Sequence, residues 1–183
     1  MASYDFNETL VIIDLQKPET CRKAFDKVIQ HYSEPLYWHI RKMVINHDDA
    51  NDILQNTFLK AWNNIGYFRG DAKLSTWLYK IAINESLTFI SREKNRLKLS
   101  IDDDESFLVN NLEADQYFDG DELQLKLQHA VSQLSEKQKL VFNMRYFDEM
   151  KYDQISDILG TSVGALKASY HHAVKKIEQF FKQ

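Results

Sequence analysis

The sequence predicts an all-α protein made of two helical domains joined by an acidic, flexible linker. Three observations carry that expectation. Only two prolines and five glycines occur in 183 residues, usage that favours long helices over a turn-rich β fold. Apolar residues recur at three- and four-residue spacing through most of the chain. The charge is also unevenly spread within a net of −4. Residues 1–98 carry 14 bases and 12 acids, residues 99–124 carry nine acids and no base, and residues 125–183 carry nine bases and six acids. Two mildly basic blocks around an acidic strip point to nucleic-acid work at both ends.

Other classes are disfavoured. A single cysteine, Cys21, rules out an internal disulfide framework and suits a reducing cytosol. No 18-residue apolar run and no signal-peptide pattern occurs, so a soluble cytoplasmic protein without membrane insertion is expected.

Residues 1–17 (MASYDFNETLVIIDLQK) have no helical period and read as an N-terminal extension. Within it LVIID suits a short strand or an extended segment. The first domain spans 18–98. Pro18 and Glu19 fit a first helical turn, and Cys21, Ala24, Phe25 and Val28 keep helical spacing. Ser33, with Pro35 two residues on, reads as the cap of a second helix lined by Leu36, Ile40, Met43 and Val44. His47-Asp48 starts another helix, whose apolar stripe runs Ala50, Ile53, Leu54, Phe58, Ala61, Trp62 and Ile65. Its opposite side shows Asp49, Asp52, Gln55, Asn56 and Lys60, with Leu59 among them. A leucine amid polar residues is either an interface anchor or an ordinary exposed leucine.

Gly66 reads as the end of that helix, followed by the loop Tyr67–Lys73 and a helix capped by Ser75. Leu74, Leu78, Ile81, Ala82 and Phe89 form its buried face; Trp77, Lys80, Asn84 and Thr88 form a second one. Aromatics interleaved with bases suit unpaired nucleic acid, because rings stack on bases while cations follow phosphates. A loop between helices can also pocket a flipped base. The competing reading makes Phe68 and Trp77 core aromatics.

Periodicity is lost over residues 99–121, the linker, and helix returns at Glu122 to open the second domain, 122–183. Ser135 to Gln138 has the capping-box pattern. A short helix ending at Leu159, a turn through Gly160 and a longer helix capped by Ser162 follow the helix-turn-helix plan. The outward candidates on the last helix are Ser162, Lys167, Ser169, His171, His172 and Lys175. It carries no arginine, and lysine lacks the bidentate fork that reads guanine, so weak base discrimination is expected.

These motifs resemble the extracytoplasmic-function group of the sigma-70 family, the bacterial RNA polymerase initiation factors. The most specific part is Tyr67 to Glu85 (YFRGDAKLSTWLYKIAINE), with Asp52-Ile-Leu-Gln55, Phe58 and Trp62 before it, and Leu134-Ser135 and Tyr152 to Leu166 after it. The resemblance implies that residues 18–98 form the region 2 domain and 122–183 the region 4 domain. It implies docking of Asp49, Asp52, Gln55, Asn56 and Leu59 on the clamp helices of the polymerase β′ subunit. It further implies that Phe68, Arg69, Lys73, Thr76, Trp77, Lys80 and Asn84 contact the −10 element. Ser162, Lys167, Ala168, Ser169, His171, His172 and Lys175 would meet the −35 element, with region 4 on the β flap tip. Promoter DNA and core RNA polymerase are thus the implied partners, with an anti-sigma factor or a separate DNA-bound recruiting protein beside them. The acidic linker would thread toward the RNA exit path.

The sequence departs from the family pattern at Ala168, Ser169, His171 and His172, at Glu85-Ser86-Leu87, and in its N-terminal 17 residues. Adjacent His171 and His172 cannot face one metal from a helix, and neither a catalytic arrangement nor a cofactor or metal site is expected. A helix-turn-helix regulator acting without core polymerase is the alternative. It would not need the Asp52 helix or the Phe68–Asn84 stretch.

Overall fold

The computed structural model describes residues 6–44, 46–98 and 122–182. Those residues form helices and connecting turns, with no strand among them. The first group comprises α1 (Glu8–Leu15), α2 (Pro18–Val44), α3 (His47–Asn64), a 3₁₀ turn (Ile65–Tyr67) and α4 (Leu74–Lys98). The second comprises α5 (Glu122–Ser132), α6 (Glu136–Phe142), a π turn (Asn143–Phe147), α7 (Tyr152–Leu159) and α8 (Val163–Phe181). The linker assigned to residues 99–121 lies outside the described residues.

Several local expectations are corrected. The segment read as extended is helix α1. Asn7 caps it by accepting from the Leu10 N–H at 3.2 Å, and Val11 and Leu15, one turn apart, are buried. Its four consecutive apolar residues, Leu10 to Ile13, hide the helical period.

The second correction concerns Pro35, which starts no new helix and lies inside α2. A proline in a helix interior costs about 3 kcal/mol. Tyr32, Leu36, Ile40 and Met43 continue the buried stripe through it, and each large apolar side chain contributes about 1.5–3 kcal/mol on burial. The stripe outweighs the break. Ser33, no longer a cap, donates its hydroxyl to the Ile29 carbonyl at 2.6 Å.

Third, Ser135 stands at the start of α6 without a side-chain capping bond, and Gln138 Oε1 is buried without a hydrogen bond. A glutamine bond of this kind appears one helix later, where the Lys151 N–H donates to Gln154 Oε1 at 2.9 Å. Gly66 also departs from expectation, since it sits within the 3₁₀ turn rather than in a left-handed cap.

The helix-turn-helix forms as the sequence predicts. Gly160 closes α7 at φ 63°, and Ser162 Oγ accepts from the Ala165 N–H at 3.4 Å to open α8. A left-handed backbone costs a residue with a Cβ roughly 1–2 kcal/mol, and a Cβ at Gly160 would meet nothing within 4 Å. Gly160→Ala is therefore expected to lower stability by about that amount through backbone strain alone. Denaturant titration checks this, and an unchanged midpoint would contradict it.

The two groups share a core. Helix α7 packs on α4, and the π turn packs on α2. Met144, Ile155 and Leu166 are fully buried in the same cluster as Leu36, Ile40 and Leu78. A second, smaller core of Ala130, Val131, Leu134, Phe142, Ala173 and Ile177 holds α5, α6 and α8 together.

A polar network crosses the junction. Asp148, directly after the π turn, accepts from His39 Nδ1 at 2.5 Å and from Lys42 Nζ at 2.8 Å. His39 is fully buried and lies edge-on to Tyr79. Burial alone would raise the Asp148 pKa, but the hydrogen bonds and positive charge of His39 and Lys42 outweigh it and hold the carboxyl below its ordinary range.

Candidate nucleic-acid interface

Helices α3 and α4 pack side by side and bring two predicted surfaces together. On α3, Asp52, Gln55, Asn56 and Leu59 are exposed along the outer face, and Leu59 stands 59% open to solvent. Asp49 is half-buried one turn before Asp52, with its pKa raised by burial and then by the carboxylates of Glu93, Asp52 and Asp48. The face is therefore acidic and polar around one exposed leucine.

The loop and α4 divide differently from the expectation. Arg69, Lys73, Lys80 and Asn84 are exposed, and Trp77 is half-buried. Phe68 and Thr76 are buried. Phe68 supports Trp77 from below, with ring centroids 5.0 Å apart. The core reading thus holds for Phe68, while the Trp77 indole keeps an accessible edge.

Beside Trp77 lies a recess of about 340 Å³ lined by Lys60, Asn64, Tyr67, Trp77, Ile81, Asn84 and Glu85. Two of its members, Trp77 and Asn84, are among the predicted contacts. Lys60, Asn64, Tyr67 and Glu85 are not. Tyr67, 82% exposed, could have been found from the aromatic run Tyr67-Phe68. The pairing of Lys60 with Glu85, at 2.5 Å, joins residues 25 apart on different helices and leaves no local signal. It also neutralises a lysine at the rim.

The cap of α4 differs from the prediction as well. Ser75 lies one residue inside the helix, and the Leu74 N–H donates to Glu8 Oε1 at 2.7 Å. The loop before it turns at Gly70, φ 79°.

On α8, Ser162, Lys167, Ala168, His171, His172 and Lys175 are exposed and Ser169 is half-buried. Lys167 also lies over the Tyr152 ring at 5.8 Å. Among the described residues, no group of three histidine, cysteine or acidic side chains is placed to hold a metal ion, and no helix is long and apolar enough to cross a membrane.

Comparison with known proteins gives the family of the chain. The profile described as Sigma-70 region 2 matches residues 28–96, and that described as Sigma-70, region 4 matches residues 124–177. The chain is 30% identical over 156 residues to the ECF RNA polymerase sigma factor SigW of Bacillus subtilis (strain 168), covering 81% of this chain and 83% of SigW. The chain belongs to the extracytoplasmic-function group of the sigma-70 family.

It is also 28% identical over 163 residues to RNA polymerase sigma factor SigV of the same organism, covering 88% of this chain and 93% of SigV. In fold it is similar to the sigma factor RpoE from Bartonella quintana, solved with the anti-sigma factor NepR. The TM-score is 0.64 at 22% identity, covering 87% of this chain and 98% of that one. Region 2 therefore includes α3, α4 and most of α2, and region 4 includes the helix-turn-helix. The polar network of His39, Lys42 and Asp148 joins region 2 to region 4.

Proposed function

We propose that this sigma factor binds core RNA polymerase, recognises the −10 and −35 promoter elements and promotes DNA melting for initiation. The observation that carries the reading is the adjacency on region 2 of the Leu59 face and the half-buried Trp77 with exposed Lys80 and Asn84. One face suits a protein partner and the other an unpaired strand. Residues 18–98 and 122–183 act as the two domains, and 99–121 as the acidic linker between them.

In this reading Asp49, Asp52, Gln55, Asn56 and Leu59 dock on the β′ clamp helices, and region 4 sits on the β flap tip. Trp77 stacks on a base of the melted strand, Lys80, Arg69 and Lys73 follow its phosphates, and Asn84 hydrogen-bonds an exposed base edge. Buried Phe68 and Thr76 act from beneath that surface. The protein is a regulatory subunit, not an enzyme, and works in the cytoplasm where the polymerase works.

Helix α8 presents Ser162, Lys167, Ala168, Ser169, His171, His172 and Lys175 to the −35 element. With lysine as its cation type there, it holds phosphate better than it reads guanine. A separate DNA-bound protein that delivers the factor to its promoter fits that weakness. An anti-sigma factor, of the kind named in the RpoE complex, is a further partner.

The test is co-purification with core polymerase followed by run-off transcription from promoter DNA. Failure to bind core sinks the reading. Within that assay, Trp77→Ala and Lys80→Ala are expected to impair promoter opening while leaving core binding intact. Loss of one stacked base contact costs about 1–3 kcal/mol, so opening should fall roughly five- to 150-fold for Trp77→Ala.

A further inference from the structure

The loop between the 3₁₀ turn and α4 exposes Arg69, Gly70, Asp71, Ala72 and Lys73. Its position is therefore set at its ends and from beneath. Buried Phe68 fixes one end. At the other, the first N–H of α4 belongs to Leu74, and the group that accepts from it is the Glu8 carboxylate on α1, 66 residues earlier.

Helix α1 is a firm base for that contact. Val11 and Leu15 are buried against α2, and the Thr20 hydroxyl donates to the Asp14 carbonyl at 2.8 Å. Phe6 stacks on His31 with centroids 3.8 Å apart and meets Tyr32 edge-on. At the middle of the loop, a Cβ on Gly70 would stand 3.4 Å from Ile12 of α1. The N-terminal segment thus touches the loop at both its turn and its exit.

An acceptor at this point does two things. It satisfies one of the orphan N–H groups of the α4 first turn. It also occupies, with a negative charge, the end of a helix that otherwise attracts anions. A phosphate of a bound strand is therefore kept off the α4 terminus and directed toward Arg69, Lys73 and Lys80.

We propose that Glu8 is a positioning residue for promoter opening. It holds the loop of residues 69–73 in register with the melted strand and excludes phosphate from the start of α4. The inference rests on the reading of that loop as the −10 surface.

The test uses the full chain with core polymerase and a promoter that the wild type opens. Glu8→Ala is expected to bind core like the wild type but form open complex less well. The decrease should be roughly two- to thirtyfold, the factor that goes with losing one helix cap. Because the α4 terminus is then free for phosphate, binding to single strands without a −10 sequence should rise, and discrimination among −10 base substitutions should fall. Glu8→Gln keeps an acceptor oxygen and should open the promoter nearly as the wild type does.

A merely structural role would lower core binding and both kinds of strand binding together, and that result overturns the proposal. Wild-type opening and discrimination in Glu8→Ala overturn it too. They would leave the −10 reading standing wherever Trp77→Ala still impairs opening. Should Glu8→Ala fail to fold, hydrogen exchange on the wild type decides. First-turn helix amides normally exchange freely, so protection at the Leu74 amide supports the contact, and free exchange there removes it.

Discussion

Asp148→Ala is expected to release region 4 from region 2. The substitution leaves fully buried His39 and mostly buried Lys42 facing a site with no acceptor. Removing one partner of a buried pair costs about 3–5 kcal/mol. Here the chain has an escape that a single-domain core lacks, because parting the two regions returns both groups to water. The variant should open rather than unfold. A free-energy change of that size moves the docking equilibrium by more than about a hundredfold. Small-angle scattering should therefore report a radius of gyration above the value of about 16 Å typical of a compact chain of this length. An unchanged scattering profile and melting curve would count against this account.

Acid should act in the same direction. The Asp148 carboxyl has a folded pKa below that of an unfolded aspartate, near 3.9. Its contribution is therefore full above the unfolded value and is lost as pH falls through the folded one. Docking should weaken on the acid side of about pH 4 and lose that sensitivity in Asp148→Asn. The opening matters for function as well. Elements centred 25 base pairs apart are separated by roughly 85 Å of duplex at 3.4 Å per pair. On the proposed reading, a compact body with a radius of gyration of about 16 Å does not span that distance, and breaking the His39–Asp148–Lys42 network would let both surfaces engage one promoter.

Most helices and the helix-turn-helix were legible in the sequence because their signals are local. The α3 stripe, the Gly160 turn and the Ser162 cap each lie within a few residues. Helix α1 was not, since Leu10, Val11, Ile12 and Ile13 are apolar on every side and leave no period to read. Pro35 misled because its local preference was weighed without the Tyr32, Leu36, Ile40 and Met43 stripe that overrides it. The site was half legible. Exposed Lys80 and Asn84 followed from spacing on one helix, but the burial of Phe68 and Thr76 depends on how the loop folds back. The contacts His39–Asp148 and Glu8–Leu74 join residues 109 and 66 apart, and no periodicity reports such pairs.

Leu59→Asp is expected to abolish core binding while leaving the fold intact. Leu59 is exposed, so the isolated protein loses little by the change. Docked on the polymerase as proposed, the leucine would become buried, worth about 1.5–3 kcal/mol. An aspartate in its place would bring an unpaired carboxylate into the interface, a further cost of several kcal/mol unless it stays hydrated. Nearby compensation is poor. The neighbouring Lys60 already pairs with Glu85, and Asp49 and Asp52 make the face acidic beforehand. Together these terms predict at least a hundredfold loss of core affinity, read by competition against the wild type, with an unchanged thermal transition. The contrast with Trp77→Ala is the sharper result. One variant should lose the polymerase and keep its single-strand contacts, and the other should keep the polymerase and lose opening. If both variants lose the same step, α3 and α4 do not divide the work between two partners.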